Sequence, residues 1–135
     1  MEETPLVKGA MISDQTCISD KNMIHELDQK GYGEIEKEKL FLKQFETLYL
    51  LYTNKLILKK GKKEIDFDSF MSICQKTDSD ILTKFLIYHD LRNRGYVVKD
   101  GFGFGSDFRV YERGYFGEKG AKFLIFGLNE GQQEK

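Results

Sequence analysis

Five cations, Arg92, Arg94, Lys99, Arg109 and Arg113, stand among the aromatic residues Tyr96, Phe102, Phe104, Phe108, Tyr111, Tyr115 and Phe116. Guanidinium and ammonium groups neutralise phosphates, and aromatic faces stack on bases that have left their helix. The mixture therefore suits single-stranded or looped RNA. Asp90, Asp100, Asp107, Glu112 and Glu118 are interspersed with it. A helix and strands with solvated, alternating charge have the same composition, so residue type alone leaves both readings open.

The other candidates for chemistry are weaker. The loop Gly101-Phe102-Gly103-Phe104-Gly105 has the glycines that let backbone N–H groups approach a phosphate. It lies between two strand-like segments, which predicts a hairpin turn rather than a nucleotide cradle. His25 and His89 are isolated and show no metal-ligand spacing. His89 is expected on the surface of a helix, and His25 is expected to be structural or solvated. Cys17 and Cys74 lie far apart and are expected to be reduced, packed thiols of an intracellular protein. No metal and no cofactor is expected.

These residues must be positioned by a chain of 135 residues, enough for one domain or two very small ones. With 40% hydrophobic residues and a formal charge of −1, wholly disordered chains are excluded. Balanced charge also removes the argument that a strongly basic domain would offer for nucleic-acid binding, so any such site must be local or shared with another chain. No stretch approaches the roughly 18 apolar residues of a membrane span, and the N-terminus has no signal-type apolar run. A soluble, cytoplasmic protein with no membrane partner is the expectation.

Along the chain, PLVKGAMISDQTCIS predicts two or three short strands, and Met23, Ile24 and Leu27 ahead of Gly31 predict a helix over 20–30. GEIEKEKLFLK reads as a strand near 34–42. QFETLYLLYTN repeats Phe45, Leu48, Tyr49 and Tyr52 at the spacing of an amphipathic helix. KLILKKGKKEI follows as two strand-like pieces around Lys60-Gly61, then FDSFMSICQK as a short helix behind Asp66. A cluster of N-cap residues at 77–80 opens the helix ILTKFLIYHDLRNRG, which Gly95 closes in the C′ position. YVVK, FGSDFRVYE and AKFLIFG are β-type segments. The predicted division is a mixed α/β domain over 1–76 and a helix-plus-strands domain over 77–135. A thin sheet of about three strands leaves edges that need another helix, more strands or a partner chain.

The string YHDLRNRGYVVKDGFGFGSDFRVYERG, residues 88–114, resembles the C-terminal catalytic domain of the archaeal tRNA-splicing (tRNA-intron) endonucleases. The shared pattern is a Tyr-x-x-Leu-Arg-x-Arg-Gly-Tyr helix end, a Val-Lys-x-Gly strand and turn, and Phe-Gly-x-Asp-Phe-x-Val-Tyr. The preceding part is similar, less specifically, to the family's N-terminal domain. The resemblance implies an α+β fold in which a small mixed α/β domain precedes a restriction-endonuclease-like α/β domain, here incomplete. It also implies metal-independent cleavage of precursor tRNA at a bulge-helix-bulge, leaving a 2′,3′-cyclic phosphate and a 5′-hydroxyl. The RNA's own 2′-OH attacks, so the protein has only to move protons and neutralise charge. In the family Tyr serves as base, His as acid and Lys as stabiliser of the charged transition state.

Carried over residue by residue, Tyr111 matches the catalytic Tyr. The His of the family stands about ten residues later, before Ser or Ala, and that place reads Ala121-Lys122 here. The Lys and the closing strands, which carry a dimer contact and an acidic docking loop, are expected beyond Lys135. The resemblance thus implies a non-catalytic assembly subunit that pairs with a related catalytic subunit in a hetero-oligomer and meets precursor tRNA through it. Arg92, Arg94, Lys99 and Arg109 would be its RNA-facing residues, with architectural roles open for most of them. Two alternatives stand beside this: half of a split catalytic subunit that supplies Tyr111 to a composite site, and a protein-binding scaffold without an RNA role.

Overall fold

The structure, a computed structural model, describes residues 6–13, 15–101, 106–112 and 123–126. Most of the glycine-rich loop, Arg113, Tyr115, Phe116 and the Ala121-Lys122 position lie outside the described residues. Strands β1 (Val7–Ile12) and β2 (Gln15–Ile18) form an antiparallel hairpin, followed by helix α1 (Lys21–Gln29), whose N-terminal amides are capped by the Asp20 carboxylate. Next come β3 (Glu34–Glu36), β4 (Lys39–Leu42), α2 (Gln44–Tyr52), β5 (Leu56–Lys60), β6 (Lys63–Ile65) and α3 (Phe67–Gln75). The strands make one six-stranded sheet in the order β3-β4-β2-β1-β5-β6. β1 pairs with β5 in parallel, so α2 is the crossover that carries the chain from β4 over β2 and β1 to β5.

Helix α4 (Ile81–Asn93) then leads into β7 (Val97–Asp100), β8 (Ser106–Tyr111) and β9 (Phe123–Phe126), an antiparallel three-stranded sheet. Its C-terminus follows the sequence expectation. Gly95, at φ +94°, donates to Arg92 O at 2.9 Å, and Tyr96 N donates to Leu91 O at 3.2 Å, the paired bonds of a Schellman ending.

Two differences from the sequence reading have physical causes. The expected strand over 34–42 is a hairpin, because Lys37 and Glu38 both take positive φ and reverse the chain. Helix α2 is not amphipathic: Phe45 through Leu50 are consecutively buried, Glu46 and Thr47 included, while Tyr52 is exposed. The sheet lies on one side of α2, where Thr47 Oγ1 meets Thr16 Oγ1 at 3.0 Å. α4 and β8 lie on the other, where the Phe45 ring packs 4.9 Å from Tyr88 and 5.0 Å from Phe108. A helix covered on both sides buries residues around most of its circumference, here two polar ones included.

Gly33 shows how tightly the turn before β3 is built. Its φ is +70°, and a Cβ there would run into the Leu40 side chain and stand 2.9 Å from Phe41 O. Leu40 is fully buried and has nowhere to go. Gly33→Ala is expected to cost about 2 kcal/mol, combining the left-handed backbone penalty with local overpacking, and a shifted urea midpoint measures it.

Candidate functional site

Register brings the candidate residues of the second sheet together. Val97 lies opposite Tyr111 and Lys99 opposite Arg109, so these four share one face of the β7–β8 ladder. The other face carries Val98, Phe108 and Val110, all fully buried, and Phe108 reaches the rings of Phe45 and Tyr88. Core packing therefore fixes which face Tyr111 and Arg109 occupy. Arg109 Nε donates to Asp100 O at 2.5 Å and Nη1 lies 3.3 Å from Tyr111 Oη. The phenol, 9% exposed, thus has an ionised donor on its oxygen. It can donate to a phosphoryl oxygen, whose charge the guanidinium would help to neutralise.

The other cations go elsewhere. Lys99 is buried; its ammonium donates to Gly33 O at 2.7 Å and stands 3.6 Å from Glu34 Oε2. Arg92 Nη1 and Nη2 donate to Lys30 O and Gly31 O at 3.0 and 3.2 Å, its Nε lies 3.1 Å from Tyr88 Oη, and its guanidinium sits 4.0 Å above the Tyr32 ring. Arg94 forms an exposed pair with Asp90 four residues earlier on α4.

Glu46, which the sequence reading does not single out, completes the same assembly. Its carboxylate accepts from Gly33 N at 2.9 Å and from Lys43 N at 2.7 Å, at 1% exposure. The segment 30–34 is thereby held through its backbone by three ionisable side chains, Glu46 from α2, Arg92 from α4 and Lys99 from β7. Burial, the largest influence, raises the Glu46 carboxyl above the ordinary range, against the pull of both amides, Lys99 and Arg92. Burial likewise pushes the Tyr32 phenol up to about 12 and Tyr88 well above its usual value, with Arg92 acting in the opposite direction on both. One sequence signal for Glu46 existed: it is the third residue of α2, where a carboxylate reaches back to the N-cap amide.

His89 is not the surface residue expected. Its ring is half-buried, 5.2 Å from Tyr52 and 5.7 Å from Tyr49. Cys17 and Cys74 are buried and stand in no disulfide among the described residues. Among the described residues no helix is long and apolar enough to cross a membrane.

The family described as tRNA intron endonuclease, N-terminal domain, matches residues 7–71, and tRNA intron endonuclease, catalytic C-terminal domain, matches residues 81–135. The chain belongs to the tRNA intron endonuclease family. A tRNA-splicing endonuclease of Methanococcus maripaludis is 40% identical over 123 residues, covering 90% of this chain and 70% of the relative. One from Thermococcus kodakarensis is 37% identical over 118 residues, covering 87% and 69%. One from Methanothermobacter thermautotrophicus is 37% identical over 109 residues, covering 80% and 63%. In this tRNA intron endonuclease chain the catalytic-domain match opens on Ile81, the first residue of α4. The region it covers contains both Tyr111 and the two cations, Arg92 and Lys99, that hold the segment 30–34.

Proposed function

We propose that this chain is a non-catalytic assembly subunit of an endonuclease that excises introns from precursor tRNA at bulge-helix-bulge sites, paired with a related catalytic subunit. The products of that assembly would be a 2′,3′-cyclic phosphate and a 5′-hydroxyl. The observation that carries the reading is in the sequence: the chain has histidine only at 25 and 89, so none follows Tyr111. The place of the general acid reads Ala121-Lys122, and an ammonium with a pKa of about 10.4 is a poor proton donor to a leaving alkoxide at neutral pH. In this reading residues 1–76 and 77–135 are two domains joined through Arg92 and Lys99, and Arg94 and Arg109 are the cations that face RNA.

A specific contact favours a second reading. Arg109 Nη1 stands 3.3 Å from Tyr111 Oη, so the phenol keeps a cation beside it, as a group serving a phosphate in a composite site would. Cleavage of labelled bulge-helix-bulge RNA separates the two. The chain alone is expected to be inactive, and co-expression with a catalytic subunit is expected to give activity that Tyr111→Phe in this chain leaves unchanged. Activity abolished by that substitution would make Tyr111 part of a composite site, and cleavage by the chain alone would overturn the assembly role.

A further inference from the structure

The hairpin of β5 and β6 carries lysine at 59, 60, 62 and 63, with Lys55 at its base and one carboxylate, Glu64, for a local charge of +4 over 55–64 in a chain whose net charge is −1. Lys59, Lys60, Lys62 and Lys63 are all exposed, and none forms an ion pair among the described residues. Gly61, at φ +65° with open space around it, makes the turn that holds the tip lysines out. Lys60 and Lys63 stand directly opposite each other in register, and like charges so placed destabilise a ladder. Edge strands are commonly guarded by a lysine. Four lysines, two of them facing one another across a two-residue loop, exceed what a guard requires.

We propose that this hairpin is a contact for the phosphate backbone of RNA, separate from the strand that bears Tyr111. This rests on the reading of the chain as part of an RNA-cutting assembly. Lysines are point charges that bind phosphate without the planar fork that reads bases. A protein–protein interface core would instead need aromatic, Met or Arg anchors, whereas lysine is depleted there. β6 is the edge opposite β3, five strand spacings or about 24 Å from the edge where Lys99 grips Gly33 and Glu34. The contact therefore lies remote from the Tyr111 ladder and would add affinity and steering without base specificity. Asp66 and Asp68, the next carboxylates, bound the patch on the α3 side.

The test measures binding of labelled bulge-helix-bulge RNA, and of a plain RNA duplex of equal length, across a range of KCl concentrations. In the quadruple variant K59Q/K60Q/K62Q/K63Q the slope of log affinity against log salt is expected to become less negative by about 3 on both RNAs, and in the tip pair K60Q/K62Q by about half of that. Thermal melting is expected at or above the wild-type temperature, since Lys60–Lys63 repulsion is relieved. Three results overturn the proposal: unchanged slopes, wild-type binding that does not depend on salt, or variants that self-associate with RNA affinity intact, which would make the lysines edge guards. The subunit reading is judged separately by cleavage in the mixture with a catalytic subunit. A slope loss in a mixture that does not cleave upholds the hairpin and sinks the subunit. Cleavage with unaltered slopes does the reverse.

Discussion

Glu46→Ala is expected to lower the unfolding free energy by about 3–5 kcal/mol, read as a fall in urea midpoint at constant slope. The carboxylate is 1% exposed and accepts from two backbone amides, Gly33 N and Lys43 N. Alanine leaves both without an acceptor and removes the buried carboxyl group that lies near Lys99 and Arg92. Glu46→Gln is expected to cost about half as much. Its carbonyl oxygen keeps one amide, while its NH2 group presents a donor to the other. The sign of the pH dependence follows from burial, which raises this carboxyl in the folded chain. The folded state then keeps its proton over a window in which the unfolded chain, with a carboxyl near pKa 4.3, has released it. The stability linked to Glu46 is full below that unfolded value and is lost as pH rises through the folded one. The difference in stability between wild type and Glu46→Gln should therefore shrink as pH rises above the unfolded carboxyl's value of about 4.3. A difference that grows as pH rises above that value would show that the two amides and the nearby cations outweigh burial.

Much of the scaffold around that carboxylate is legible in the sequence because its signals are local. Gly95 after α4, Asp66 before α3 and Lys60-Gly61 between two strands each act within a few residues, and each does in the structure what its type requires. The hairpin turn at Lys37-Glu38 has no such marker, since neither residue is Gly, Asn or Asp. The double-sided burial of α2 is hidden for a different reason: the surface that covers Phe45 comes from Tyr88 and Phe108, far along the chain. The same holds for the cations. The sequence marks Arg92 and Lys99 as charges near aromatics, but their partners, the carbonyls of Gly31 and Gly33, lie 61 and 66 residues away. Arg109 and Tyr111 meet through an i, i+2 strand relationship, which alternation does make visible. The burial of His89 is not legible either, because helical spacing shows which residues share a face but not that Tyr49 and Tyr52 of another helix cover it.

Arg92 gives the second large effect, and it separates an architectural guanidinium from one that binds phosphate. Its planar fork serves Lys30 O, Gly31 O and the Tyr88 hydroxyl while its face lies 4.0 Å above Tyr32. Arg92→Ala leaves two carbonyls and a fully buried phenol without that donor and uncovers the Tyr32 ring. The expected cost is about 3–4 kcal/mol, again read from the urea midpoint. Arg92→Lys keeps the charge but replaces the fork with a point charge that cannot meet both carbonyls, the hydroxyl and the ring at once, so it should recover less than half of the loss. Alkaline titration of the tyrosines supplies an independent readout. Burial pushes Tyr32 up to about 12 and Arg92 draws it down, so Arg92→Ala should move that phenol higher still. The salt slope for RNA binding should not change in either variant while it remains folded, because the guanidinium is already committed to carbonyl oxygens of its own chain. A slope less negative by about 1, the signature of one lost phosphate contact, would mean that Arg92 leaves the segment 30–34 to reach RNA. Its hold on Lys30 and Gly31 would then be the unbound half of a switch.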